Sequence, residues 1–314
     1  MKQLQISEMK RPEVSTVYLS LSKYESQTDY WLRQFDVVTD EQLEGWRPLG
    51  TLERAAYLFS YSTPRMIQIA SDFGGWLQVL RNHVNQGDAI QGKAFLDGLL
   101  QGLKEEDNRH CNHPIGEAGI QFVKRLKNLV APQWKSYFMQ KLESYFNGLL
   151  QSRDTGTEKT WDNMGVQYNL SSDVTLFFDI IEPSIGMNLS DNDRAHPKHR
   201  QLLQNLSTCF FYAQVIFESK MDNKEKMTAL MNEKQLDERS ALTFCIEQYN
   251  KNFESSKEIE STFENTIRTQ RFFQCAFYLL EAELDWREDV LKNYNERKQM
   301  RIQKETAEKR EAVN

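Results

Sequence analysis

Residues 76–85 read Trp76-Leu-Gln-Val-Leu-Arg-Asn-His-Val-Asn85. A tryptophan and a short apolar run lead into Arg81, Asn82 and Asn85, a cation and two amides. The stretch continues a helix that Pro64 is placed to open and that already carries Ile67, Ile69, Phe73 and Trp76 at helical spacing. A long helix with an apolar stripe and a polar end predicts an all-α fold. What its polar end can bind is a separate question.

The rest of the chain agrees with helices. Of 314 residues, 39% are hydrophobic and 27% charged, and the mean hydropathy is −0.66. That balance suits amphipathic helices with solvated faces better than a buried parallel sheet. Residues 198–314 contain neither proline nor glycine, so a few long helices are expected there. One runs from about His199 to Asp222 with Leu202, Leu203, Leu206, Phe210 and Phe211 inward. A second is capped by Asp237 and runs through Leu242, Cys245 and Ile246. A third spans Lys257 to Trp286 with Ile267, Phe272, Phe273, Phe277 and Leu280 inward, and the charged residues after Tyr294 extend or fray it. In the first half, Thr51 caps a helix through Tyr57 and Tyr61. Pro114 opens one through Ile120, Val123 and Leu126, and Pro132 starts another through Trp134, Phe138, Leu142, Phe146 and Leu149. Val14–Ser22 alternates like a strand, but one strand makes no sheet, so it is expected as extended chain packed on helices. No linker divides the helical region. The expected organisation is an extended segment at 1–25, one helical domain at 26–296 and a charged helical tail at 297–314.

Composition also excludes partners. No apolar run approaches the roughly 18 residues that a membrane span needs, and the N-terminus lacks the apolar core of a secretory signal. A formal charge of −6 and a pI near 5.6 argue against nucleic acid. Four scattered cysteines read as reduced thiols of a cytoplasmic protein. His110-Cys111-Asn112-His113 has no partner cluster at ligand spacing and reads as a loop. There is no G-x-S-x-G, P-loop or G-x-G-x-x-G, so hydrolase, NTPase and dinucleotide readings have no footing.

The order of several weak motifs resembles microbial class I terpene synthases over about residues 20–295. Tyr30-Trp31-Leu32 is similar to the family's E-x-x-x-W-L helix, and Arg54-Ala-Ala-Tyr-Leu-Phe-Ser-Tyr with Pro64 to its L-x-A-R-x-x-P passage. The Pro114 helix with Trp134 and Tyr137-Phe138 resembles the segment before the effector helix. Val174-Thr-Leu-Phe-Phe-Asp-Ile-Ile-Glu182 resembles the apolar D-L-I-E stretch. The resemblance implies a single-domain helical bundle around an apolar cavity, in which magnesium held by carboxylates draws diphosphate from an isoprenoid. Aromatic walls then guide the cation. Trp76, Phe178, Phe210, Phe211 and Phe273 are the candidates for such a wall.

Against that pattern the acidic equipment is missing. Residues 76–85 match the helix of the D-D-x-x-D motif, but its positions are Arg81, Asn82 and Asn85. The second motif, N-D-x-x-S-x-x-x-E, falls on Ala213, Phe217 and Met221; a shift of one residue gives Gln214, Glu218 and Asp222 on one helical face. No arginine lies at Gly165–Gln167, where the resemblance implies a diphosphate sensor. The terminal R-Y pair is echoed only by Lys292 and Tyr294 after Trp286. Arg81, Asn82, Asn85, Gln214, Glu218, Asp222, Lys292 and Tyr294 are therefore the candidates for the cavity mouth. The expected function is an atypical terpene synthase-like enzyme that cyclises or isomerises an isoprenoid or polyene in an apolar cavity without the trinuclear magnesium site. No metal ligand, cofactor or proton donor is assigned under it. One alternative is a pseudoenzyme that binds an apolar ligand or a partner protein. The other is a residual magnesium-dependent prenyl diphosphate lyase. Relatives of such a fold often pair, so a homodimer is an expectation, although no segment marks an interface.

Overall fold

The computed structural model describes residues 6–13, 21–153, 160–221, 223–264 and 266–311, and among these no strand occurs. The helices are α1 (Ser22–Gln34), α2 (Asp40–Trp46), α3 (Arg54–Leu58), α4 (Pro64–Gln86), α5 (Ala89–Glu105), α6 (Pro114–Lys127) and α7 (Pro132–Arg153). They continue as α8 (Trp161–Ser171), α9 (Asp173–Ser184), α10 (Asp191–Ala195), α11 (Pro197–Lys220), α12 (Glu225–Lys234), α13 (Glu238–Thr262) and α14 (Ile267–Glu311). The all-α expectation holds.

Proline and short polar caps place many of the starts. Thr63 accepts the Met66 amide and Pro64 supplies a fixed φ to the first turn of α4. Pro114 and Pro197 do the same for α6 and α11, each behind a histidine whose ring nitrogen accepts an amide. Asp237 caps α13 by accepting the Ser240 amide, as expected.

The core is built around α4. Its Phe73 ring stacks on Phe122 of α6 at 4.4 Å and meets Phe138 of α7 at 5.8 Å and Phe177 of α9 at 6.2 Å. Burying each such ring stabilises the fold by roughly 2–3 kcal/mol, so this four-helix contact anchors the bundle. Trp76 is wholly buried, and its Nε1–H donates to the Ile115 carbonyl at 2.8 Å. It fits because α6 offers Gly119, where a Cβ would stand 2.8 Å from the indole. No helix among the described residues is long and apolar enough to cross a membrane.

Several boundaries differ from expectation. The helix expected through Tyr61 stops at Leu58, and it starts behind Glu53 without a side-chain cap, so Thr51 is not its cap. Tyr61 lies beyond it, its hydroxyl bonded to the Ser184 hydroxyl. No single helix spans Lys257 to Trp286, because α13 ends at Thr262 and α14 starts at Ile267. Phe263 turns out in extended backbone, its ring packed against His196 at 4.7 Å and Phe273 at 5.1 Å, while Lys198 Nζ–H donates to the Thr262 carbonyl. The aromatic anchor and the cationic cap do here what glycine or proline does elsewhere. At the amino end, α1 begins at Ser22, inside the segment expected to be extended, and the alternating Val14–Ser22 stretch lies outside the described residues up to position 20. At the carboxyl end, α14 continues without a break through the expected boundary at 296/297.

Candidate active site

A cavity of about 610 Å³ opens among α3, α4, α7, α8, α9, α11, α12 and α14. That volume is of the size that takes a small organic ligand. Its walls are not those of an apolar pocket. Arg54, Gln78, Arg81, Gln167, Asp173 and Arg287 face it together with Phe177, Leu149 and Trp286.

The charged members form one network. Arg54, in the first turn of α3, donates through Nη1 to Asp173 and through Nε to Glu283, both at 2.7 Å. Glu283 is fully buried on α14 and also pairs with Arg287 one turn on, at 2.7 Å. The guanidinium of Arg54 lies over the rings of Trp286 at 5.4 Å and Phe177 at 5.7 Å. Asp173 opens α9 behind the cap Ser172, so the positive end of the helix dipole also faces its carboxylate. Burial alone would push Asp173 up, but Arg54, then Arg81 and Arg287, outweigh it and hold the carboxyl below the ordinary carboxylate range.

Arg81 completes the set. Its one hydrogen bond among the described residues is a long contact, 3.4 Å, to the Tyr145 hydroxyl, and no described carboxylate lies within ion-pair distance. Tyr145, and after it Asp173, raise the Arg81 pKa against the opposing effect of burial, so the guanidinium stays charged. Within this network, three guanidiniums (Arg54, Arg81, Arg287) stand against two carboxylates (Asp173, Glu283), so it carries one positive charge in excess.

The expected mouth residues separate into groups. Arg81, Asn85, Gln214 and Glu218 border the cavity. Asn82 does not, and accepts from Gln78 at 3.3 Å instead. Lys292 faces a second, smaller cavity of about 280 Å³ with Arg47, Glu53, Tyr57 and Asp289. Tyr294 lies farther along α14, with Lys298 over its ring, and Asp222 lies outside the described residues. None of the five aromatic wall candidates lines the cavity. Trp76 is packed on Phe73, Phe178 meets Phe210 at 5.9 Å, Phe211 lies between Trp161 and Tyr168, and Phe273 contacts His199 and Phe263. They fill the core, which is what aromatic side chains at helical spacing most often do.

Among the described residues, the donors that α4 and α11 present to this cavity do not fit a cluster of divalent cations. Magnesium needs carboxylate oxygen, and α4 presents Gln78, Arg81 and Asn85. On α11, Glu218 is already bonded to Gln214 at 2.6 Å and paired with Lys226 at 2.7 Å. Among the described residues no group of three His, Cys, Asp or Glu side chains is placed to hold a metal ion.

The profile described as "Terpene synthase family 2, C-terminal metal binding" matches residues 83–255, more than half of the chain. The chain belongs to the terpene synthase family. Among curated proteins, Sesquiterpene synthase 3 of Postia placenta is 21% identical over 196 residues, which cover 60% of this chain and 54% of that protein. The match thus spans about half the length of that relative. Among solved structures, linalool/nerolidol synthase of Streptomyces clavuligerus in complex with 2-fluorogeranyl diphosphate superposes with a TM-score of 0.78 at 14% identity, covering 89% of this chain and 98% of that one. Germacradien-4-ol synthase of Streptomyces citricolor gives 0.70 at 12% identity, covering 87% and 98%. These likenesses establish the terpene synthase fold.

Sequence reasoning missed Asp173, Glu283 and Arg287 as site residues, and met Arg54 only as part of a resemblance. Each is a charged residue on an amphipathic helix, and such residues read as solvated. The only local signal was Ser172-Asp173, a helix start that places a carboxylate at a dipole end.

Proposed function

We propose that this chain takes up an isoprenoid with an anionic head group and cyclises or isomerises it without a trinuclear magnesium site. Family membership and fold support a terpene cyclase-like function and an isoprenoid substrate. The observation that carries the finer reading is Arg81, a charged guanidinium on a ligand-sized cavity with no carboxylate among the described residues paired to it. Arginine offers a phosphate or carboxylate two parallel donors, and such contacts are shorter and stronger than neutral ones. The excess positive charge of the network then offsets part of the charge of the head group, as preorganised donors do for any anion developing in a site shielded from water. Asp173 remains as a fixed negative group at the wall beside the reacting chain.

A second reading, a protein that binds such a ligand without converting it, is favoured by the ion pairs of Arg54 and Arg287. Permanent cations at the wall raise the energy of any carbocation held there.

The test is incubation with geranyl, farnesyl and geranylgeranyl diphosphate, in magnesium or in chelator, with extraction of products and measurement of ligand affinity. Products that persist in chelator and vanish in Arg81→Met support the proposal. Affinity lost in Arg81→Met without any product moves the assignment to the second reading. Products that appear only with magnesium overturn both.

A further inference from the structure

We infer that the natural occupant of this cavity is oxygenated beyond its anionic head, carrying at least one hydroxyl that donates to the Asp173 carboxylate. The inference rests on the head-group reading above and deepens it. A hydrocarbon tail needs a wall that loses little on giving up water. The aromatic side chains expected to form that wall are instead committed to the core. What faces the cavity is a mixed wall, in which Phe177, Leu149 and Trp286 alternate with Asp173, Arg54, Gln78, Gln167 and Ser171.

Asp173 decides the matter. Its side chain retains 19% of its exposure and lines the cavity, and its ion pair with Arg54 uses Oδ2 alone. Its neighbouring guanidiniums keep it ionised, so it cannot escape by taking a proton. A hydrocarbon laid against it strips water from a charged oxygen and returns nothing. A hydroxyl laid against it replaces that water with a charge-assisted hydrogen bond. Gln78 of α4 and Gln167 of α8, both at this cavity, can each donate and accept, and extend the preference to a second oxygen on the ligand. Sites built to hold a buried hydroxyl reject analogues that lack it far more strongly than apolar pockets sort one methylene from another.

The experiment compares farnesyl diphosphate with its terminally hydroxylated analogue by titration calorimetry on the full chain in chelator. The hydroxylated ligand is expected to bind at least about tenfold more tightly, and Asp173→Asn is expected to remove most of that difference between the two ligands. Gln78→Leu, which leaves the ion pairs intact, is expected to narrow the difference and guards against a misfolded Asp173 variant. Equal or weaker binding of the hydroxylated ligand overturns the inference and leaves the head-group reading standing. If neither diphosphate binds, the head-group reading fails and takes this inference with it.

Discussion

Replacing Arg54 with methionine separates a structural ion network from a surface decoration. Methionine keeps much of the aliphatic stem, so the packing against Phe177 and Trp286 is largely retained and the lost quantity is the charge. Two charge-assisted hydrogen bonds at 2.7 Å disappear, to a carboxylate with 19% exposure and to one with none. Removing one partner of a buried ion pair typically costs about 3–5 kcal/mol, because the remaining charge is left in a poorly solvated place. Arg287 stays beside Glu283 and softens the loss, so about 3 kcal/mol is expected at pH 7.5. The pH dependence follows from Asp173. In the native chain its pKa is lowered, so its contribution is present above the ordinary carboxylate pKa and fades as the pH falls through the lower folded value. Without Arg54 burial dominates and the sign reverses: the variant loses stability as the pH rises through the raised value. The gap between the two proteins is therefore widest at neutral pH and narrows toward pH 4. Urea unfolding followed by far-ultraviolet circular dichroism at pH 4.5, 6 and 7.5 measures it. A gap below about 1 kcal/mol at pH 7.5, or one that does not change with pH, would show that these charges are solvated and that the network is not a rigid wall.

Asp179 of α9 is buried with one carboxyl oxygen lacking a hydrogen-bond partner, and burial pushes its pKa from 3.8 to about 7. The stability it permits is complete below the ordinary value and is lost as the pH rises through about 7, so Asp179→Asn should gain up to about 4 kcal/mol at pH 8 and nothing at pH 3.5, in the same unfolding assay. Gly119→Ala sets a methyl 2.8 Å from the Trp76 ring. Overpacking should outweigh the helix-propensity gain of about 1 kcal/mol, for a net loss of about 1–2 kcal/mol, and a rise in melting temperature would contradict it. Glu218→Ala combined with Asp222→Ala should leave product formation from prenyl diphosphates largely intact, because Glu218 is already paired with Lys226; abolition of product would return a metal-dependent reaction to first place.

Much of the fold is visible in the residues. Pro64, Pro114, Pro132 and Asp237 mark helix starts through constraints that act within one turn, and tertiary packing does not override them. The break after Thr262 has no such local marker. It depends on Phe263 finding His196 and Phe273, partners set by the docking of α11 and α14. The site divides in the same way. Arg81 was found because it interrupts a recognisable frame, whereas Arg54, Asp173 and Glu283 acquire meaning only when α3, α9 and α14 bring both carboxylates within 3 Å of the one guanidinium. Aromatic content could be read from sequence, but its allocation between core and cavity could not, since both uses share one spacing.

One consequence concerns α14. One face of the helix holds Glu281, Asp285 and Glu288, all gripped by Arg11 of the N-terminal segment, and another holds Glu283 and Trp286, tied to Arg54 and to the Gly50 carbonyl. A rod clamped on two sides cannot roll about its axis without releasing every clamp together. Any give on admission of a guest molecule is then left to the other elements that line the cavity, α8 and α12 among them, and α14 serves as the fixed jamb.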